Sequence, residues 1–333
     1  MAFNFLGFIY TKIFINIVVE NLTTIVYVEV YSSKGTLMES IEKKFDVSQD
    51  KTRMYNFIKS YKKESPFHYI SIIDHSSTQC AVSTCKINEI DNLNRDSKIK
   101  LVCYAKDLAF YTLESSINSI KREYKEVGVD FIFSPFLIMR EFFKDKIELT
   151  MAMFILVEES YLSLAIFENS KLLFAKFINA DHLLDEEENP YDSQLLDDDS
   201  EELSLDMGEI DLDDVGFAEE YASIENLDDS DDINEFSEES EIKKPLSVPE
   251  EKLTLNGFGE DYQRFVSIQE SLNSFYKDEK YDSRFVEVVY IADAIGLNHE
   301  LKGYLEDEMF LSVYSRKIEL AKEICNLAKI EIK

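Results

Sequence analysis

The feature that most constrains this chain is an echo within it. The stretch FILVEESYLSLAIFENSKLLFAKFI, residues 154 to 178, repeats the rhythm of FINIVVENLTTIVYVEVYSSKGTLMESIEKKF, residues 14 to 45. Both are dense in β-branched and aromatic residues, and both are cut by polar breaks, the second break carrying a lysine. Each reads as three strands joined by tight turns, a β-meander. A chain that starts the same way twice is expected to fold as two copies of one lobe.

The segments downstream of each meander support that expectation. After the first, QDKTRMYNFIKSYKKES spaces Met54, Phe57, Ile58 and Tyr61 at helical intervals, and FHYISIIDH reads as a fourth strand. KIKLVCYAK is a further strand. DLAFYTLESSINSIKREYKEVG reads as a helix with Asp107 as N-cap and Gly128 as C-cap, its interior marked by Leu113, Ile117 and Ile120. VDFIF is a short buried strand, and SPFLIMREFFKD is a helix capped by Ser134 with Pro135 at its first position. After the second meander come a helix over EDYQRFVSIQESLNSFYKD, a strand over FVEVVYIAD and a turn at Gly296. A helix over NHELKGYLEDEM and a closing helix over SRKIELAKEICNLAKI complete the chain.

Charge interrupts the second copy. Residues 181 to 250 hold 28 Asp or Glu against Lys243 and Lys244, and so carry nearly all of the formal net charge of -31. The remaining residues are almost balanced, with 38 acids and 33 Lys or Arg. A segment this rich in Asp, Glu and Ser cannot bury enough apolar surface to offset the entropy of ordering, so disorder is expected. Direct nucleic-acid binding is disfavoured, because affinity for phosphates rests on cationic contacts. The expected domains are therefore lobe I at 1–150, the start of lobe II at 151–180, an acidic disordered insertion at 181–250 and the remainder of lobe II at 251–333. Within the insertion, Leu203, Leu205, Ile210, Leu212, Val215 and Phe217 are spaced among carboxylates. Leu205, Ile210, Leu212 and Phe217 are the candidate partner-binding residues, since acidic-hydrophobic mixtures fold onto basic, apolar grooves. A solvated spacer is the bland alternative, and an intramolecular cover for the cleft between lobes is a third.

Signatures of catalysis and metal binding are missing. There is no G-x-S-x-G, P-loop or H-E-x-x-H. Asp74, His75 and Ser76 are consecutive, and alternating strand directions keep them from converging on one reacting atom. The other histidines, His68, His182 and His299, read as surface or core polar residues. DLDDVG, residues 211 to 216, looks like the start of a calcium loop, but Val215 and Ala222 stand where oxygen ligands are needed. Cys80 and Cys85 form a C-x4-C pair without two clear further ligands, His75 and Cys103 being poor candidates. That pair reads instead as buried free thiols, and the four cysteines, few and scattered with Cys325 the last, fit a reducing cytoplasm. No metal or cofactor is expected. The apolar start, residues 1 to 19, is divided by Lys12 and reads as a lead-in to the first strand, with a short interfacial anchor over residues 2 to 11 as the alternative.

The doubled module LVEESYLSLAIFENSKLLFAKFI, the helix RFVSIQESLNSFY and the run VVYIADAIGLNHELKGYLEDEMFLSV resemble an α/β fold of duplicated actin-like (ribonuclease-H-like) lobes. More narrowly, they resemble the PilM/GspL-type scaffolds of type IV pilus, type II secretion and competence (DNA-uptake) machinery. The resemblance spans nearly the whole chain outside residues 181 to 250. It implies a non-enzymatic, cytoplasmic protein peripheral to the inner membrane. Such a scaffold docks the tail of a single-span inner-membrane assembly protein, or the assembly ATPase. The chain departs from nucleotide-binding relatives at three places. Their first two strands in each lobe are joined by a glycine-bearing turn whose N–H groups approach phosphate. Here those turns read VVENLTT and VEESYL, and Glu20, Glu158 and Glu159 put negative charge there. The glycine-rich adenosine turn falls at ADAIG, where only Gly296 is present. An ATP-binding assembly protein with divergent loops, and an adaptor acting through its acidic segment, are the rival expectations.

Overall fold

The computed structural model describes residues 10–90, 98–148, 151–180, 256–278, 285–297 and 299–332. In the first half these form β1 (Lys12–Val19), β2 (Thr23–Tyr31), β3 (Leu37–Asp46), α1 (Lys51–Glu64), β4 (Phe67–Ile73), β5 (Cys80–Val82), β6 (Ile99–Ala105) and β7 (Leu108–Leu113). They are followed by α2 (Glu114–Glu123), β8 (Phe131–Phe133), α3 (Pro135–Phe142) and α4 (Lys144–Ile147). The second half contains β9 (Ala152–Val157), β10 (Tyr161–Glu168), β11 (Lys171–Asn179), α5 (Asn256–Lys277), β12 (Val288–Asp293), α6 (His299–Asp307), β13 (Ser312–Lys317) and α7 (Leu320–Glu331).

The two halves repeat one topology. One five-stranded sheet runs β3-β2-β1-β4-β8 and the other β11-β10-β9-β12-β13. In each, the first three strands are antiparallel. The last two join in parallel, β1–β4–β8 in one and β9–β12–β13 in the other. Parallel pairing requires a crossover, and a helix supplies it each time: α1 leads into β4, and α5 precedes β12. This is the α/β fold of duplicated actin-like (ribonuclease-H-like) lobes. The β10–β11 hairpin turns on Asn169 and Ser170, both at positive φ of 48° and 69°, the conformation that matches the right-handed strand twist.

Burial on both faces explains why β1, β9 and β10 are almost continuously apolar. Ile13, Ile15 and Ile17 face α1, while Phe14 and Val18 face the other way, into a core shared by the lobes. The outer face of the second sheet packs Met153, Ile155 and Val157 against Phe265, Ile268 and Leu272 of α5 and Leu301 and Leu305 of α6. The shared central core is built by exchange of helices. The closing helix α7 lies on β1, β2 and β4 of the first lobe, and α3, at the end of the first lobe, lies on β9 and β10 of the second. Ile324, Leu327 and Ala328 therefore share one cluster with Phe136, Met139, Phe143 and Phe154. Neither lobe completes its inner face alone.

Two helix expectations are corrected. DLAFYTLESSINSIKREYKEVG is not one helix: its first third is β7, and α2 begins only at Glu114. Asp107 is not a cap but half of a Lys106–Asp107 hairpin turn between β6 and β7. The buried side chains of Leu108, Ala109 and Phe110 and pairing to strands on both sides outweigh the helical spacing of Leu113, Ile117 and Ile120. Gly128, at φ 79°, still ends the region, its N–H donating to the Tyr124 carbonyl at 2.7 Å. Likewise SRKIELAKEICNLAKI starts as the tail of β13, and the helix begins at Leu320. β13 is an edge strand with only Val313 buried, which leaves no alternation to read. Ser134 caps α3 as expected, accepting from the Phe136 N–H at 3.3 Å. The cysteine reading changes too: Cys85 and Cys103 are bonded to each other, while Cys80 and Cys325 are free.

The acidic insertion at 181–250 lies outside the described residues, as do residues 1 to 9. Among the described residues, no helix is long and apolar enough to cross a membrane.

Candidate functional site

The duplicated topology brings two duplicated turns face to face. Between β1 and β2 the Glu20 N–H donates to the Thr23 carbonyl at 2.8 Å, and between β9 and β10 the Glu158 N–H donates to the Tyr161 carbonyl at 2.9 Å. Each turn thus spends its leading N–H on itself. The next donor, the Asn21 N–H of the first lobe, is taken by the Glu159 carboxylate of the second at 2.9 Å. Ser160 also donates its hydroxyl to the Asn21 side-chain oxygen. A carboxylate of this chain therefore sits on a backbone donor where the resemblance places a bound phosphate.

Directly between the two turns little space is left, although Asn21 and Glu159 are themselves exposed. The space bounded by Val18, Glu20, Glu158, Ser160, Ala294 and Leu320 is about 20 Å³. That is room on the order of one water molecule, against roughly 300–1,000 Å³ for ordinary cofactor sites. Glu158 is 5% exposed, and its Oε2 lies 2.7 Å from His75 Nε2 while Oε1 has no partner. The His75 ring stacks on Tyr161 at 4.6 Å. Burial pulls the His75 pKa down, but the Glu158 charge and hydrogen bond, with Asp74 adding, hold it above the ordinary histidine value. Below the turn, Arg264 of α5 donates to the Glu159 carbonyl at 3.1 Å and pairs with Asp261 at 2.9 Å, both side chains 5% exposed. Burial raises the Asp261 pKa, and Arg264 opposes that rise.

The third loop is filled in the same way. After β12 the chain turns at Gly296, φ 77°, and the N–H groups of Ile295, Gly296 and Leu297 converge. Such a nest binds anions. Here the anion is the Asp293 carboxylate, which accepts all three at 3.0, 2.8 and 2.8 Å.

Open grooves lie alongside, among the described residues. One, of about 410 Å³, opens from the two turns at Glu20, Asn21 and Tyr161 and runs past Asp74, His75 and Glu123 to the serines that start α2. Its carboxylates disfavour an anion. Another, of about 320 Å³, lies between the small sheet β5-β7-β6 and the β8–α3 edge of the main sheet. Val102, Phe110, Phe131, Phe133 and Leu137 make it apolar, with Lys100, Asp130 and Glu331 along it.

Asp74, His75 and Ser76 do not converge. Asp74 accepts from the Ser76 N–H at 3.0 Å, the Ser76 hydroxyl meets Thr112 at 2.8 Å, and His75 turns to Glu158. His68 is tied to the Ser65 carbonyl. Leu205, Ile210, Leu212 and Phe217 lie outside the described residues, as do Leu203, Val215 and the 211–216 stretch. Among the described residues, no cluster of three or more His, Cys, Asp or Glu side chains is placed to hold a metal ion. Asn21, Ser160 and Asp293 carry no catalytic or binding signature in the sequence, although the Asp-Ala-Ile-Gly spacing of Asp293 is a turn signal.

These observations define a two-lobed actin-like chain in which the Glu159 and Asp293 carboxylates occupy backbone donors at the interlobe turns. It belongs to the family described as "Domain of unknown function (DUF8341)", whose model matches residues 153–333. Residues 10–140 match a second family, "Domain of unknown function (DUF8569)". None of the curated proteins matches the sequence. Similar solved structures include a Bacteroides thetaiotaomicron protein with actin-like ATPase fold and unknown function, at 10% identity and TM-score 0.44, covering 93% of this chain and 92% of that one. The PilM-PilN type IV pilus biogenesis complex is similar at 9% identity and TM-score 0.46, covering 92% and 88%. The ethanolamine utilization protein EutJ from Carboxydothermus hydrogenoformans is similar at 6% identity and TM-score 0.35, covering 92% and 84%.

Proposed function

We propose that this chain is a non-catalytic scaffold that docks a protein segment, peripheral to the inner membrane on its cytoplasmic side, in a pilus, secretion or DNA-uptake machine. The observation that carries the non-catalytic part is the Glu159 carboxylate on the Asn21 N–H, with Asp293 filling the neighbouring nest. An incoming triphosphate would have to displace both carboxylates and overcome the repulsion of Glu20 and Glu158 beside them. The apolar groove between the small sheet and β8 supplies the docking surface. The pilus and secretion setting comes from the sequence resemblance, and the partner class implied is the tail of a single-span membrane protein or the assembly ATPase.

Titration calorimetry with Mg-ATP tests the first part: no saturable binding is expected up to about 1 mM, an affinity of only about -4 kcal/mol. Micromolar binding would overturn it. Co-purification from the native membrane fraction, with and without residues 185–245, tests the second. Retention of the same partner by the deleted form places docking on the lobes, and its loss favours the acidic segment.

A further inference from the structure

The small sheet that walls the apolar groove is thin, with three, seven and six residues in β5, β6 and β7. Lys100 and Val102 of β6 line the groove, so by strand alternation Cys103 stands on the opposite face, where it is exposed. Val82 of β5 and Cys103 of β6 both pair with Ala109, on either side of the central strand. The chain leaving β5 then bends so that Cys85 reaches Cys103, their Cα atoms 5.5 Å apart and 18 residues apart in sequence. That separation lies inside the range of about 4.4–6.8 Å that a disulfide spans without backbone movement. The staple links β6 to the segment that leaves β5, on the far side of β7.

The other two thiols contrast with this pair. Cys325 is fully buried, and burial pushes its pKa up to about 12. Cys80 donates to the Ala175 carbonyl at 3.4 Å, and burial pushes its pKa up to about 11. Neither supplies much thiolate, so exchange chemistry falls to the exposed Cys103 and its half-buried neighbour Cys85.

We propose that Cys85 and Cys103 are a reversible redox site, closed by exchange with a low-molecular-weight disulfide such as oxidised glutathione, that sets how firmly the groove wall is held. The Cys103 thiolate attacks one sulfur of the small disulfide, forming a mixed disulfide and releasing one small thiolate, which takes a proton from water. The Cys85 thiolate then attacks the Cys103 sulfur, forming the protein bond and releasing the second small thiol. Two cysteine thiols are oxidised and one small disulfide is reduced. The redox chemistry stands on the pair itself, and its consequence for docking rests on the groove being the docking surface.

The test uses the full-length protein, treated with oxidised glutathione or with dithiothreitol, alkylated in denaturant, digested and weighed. After oxidation, two of the four cysteines are expected to resist alkylation and to appear as one peptide joining Cys85 to Cys103, whereas after reduction all four alkylate. Hydrogen exchange of the β6 and β7 amides is expected to be at least about tenfold faster in the reduced form, as local opening becomes easier. The double variant Cys85→Ser/Cys103→Ser should lose that redox dependence, and the wild-type masses decide the matter even if this variant folds poorly. Four alkylatable thiols after oxidation, separate glutathione adducts without the joined peptide, or exchange rates unmoved by redox state would each overturn the proposal. No partner enters these readouts, so a failure of the docking reading leaves them intact.

Discussion

His75 Nε2 and Glu158 Oε2 lie 2.7 Å apart, one just past the fourth strand of the first lobe and the other opening the duplicated turn of the second. The pair fastens the lobes across the cleft, and its charge state depends on pH. The His75 pKa is raised in the folded state, so its contribution is fully present below the unfolded value of about 6.5 and is lost as pH rises through the folded value. A charge-assisted hydrogen bond of this kind is worth about 1.5–3 kcal/mol. Urea unfolding of the wild type and His75→Gln is therefore expected to differ most at about pH 5.5 and to converge at alkaline pH. A difference that stays constant between those limits would show that the imidazolium form does not matter.

Glu29 and Lys329 make the second interlobe fastening, 2.9 Å apart, with Tyr27, Tyr31 and Cys325 also donating to the carboxylate. Burial raises the Glu29 pKa, but the Lys329 bond and the other three outweigh it and hold it down at about 2. Its contribution is present above about pH 4.3 and is lost as pH falls towards about 2. Lys329→Met is expected to cost about 2–3 kcal/mol, below the roughly 3–5 of a fully buried pair, because Lys329 keeps 24% of its side chain exposed. Acid unfolding of the variant should begin at higher pH than in the wild type, and coincident acid transitions would contradict the assignment.

Asp293→Ala leaves three N–H groups of one nest without their acceptor. Water will satisfy part of the loss, so a destabilisation of about 1–3 kcal/mol is expected in thermal or chemical unfolding. The same variant opens an anion site, and a recovery of stability with added sulfate would confirm that the carboxylate stands in for one.

Phe154 joins the lobes through rings: it lies 5.4 Å from Phe143 and stacks at 5.3 Å on Tyr290. Phe154→Ala, at a fully buried position, is expected to cost about 3–5 kcal/mol. Leu22→Ser, at a residue 76% exposed in the first turn, should stay within about 0.5 kcal/mol. Comparable losses from the two would mean that the central core is not as described.

The meanders were legible because strands buried on both faces must be apolar nearly throughout, as Ile13 to Val18 and Ala152 to Val157 are. The small sheet was not. Its β5 is three residues long, and the Lys106–Asp107 turn lacks the glycine that usually announces a two-residue hairpin. Leu113 and Ile117 then suggested one long helix where tertiary pairing had claimed the first third for a strand.

At the cleft, local order fixed which groups were present but not what they do. Glu20, Glu158 and Glu159 were visible as charges at two turns, and the missing glycines were visible with them. Their partners were not, because Asn21 meets Glu159 across 138 positions, His75 meets Glu158 across 83, and Glu29 meets Lys329 across 300. Hydrophobic period and turn chemistry act over a few residues, and they were enough to dictate two copies of one lobe. Which carboxylate would sit on which amide was decided only when α3 and α7 crossed between the lobes and brought the two turns within hydrogen-bonding distance.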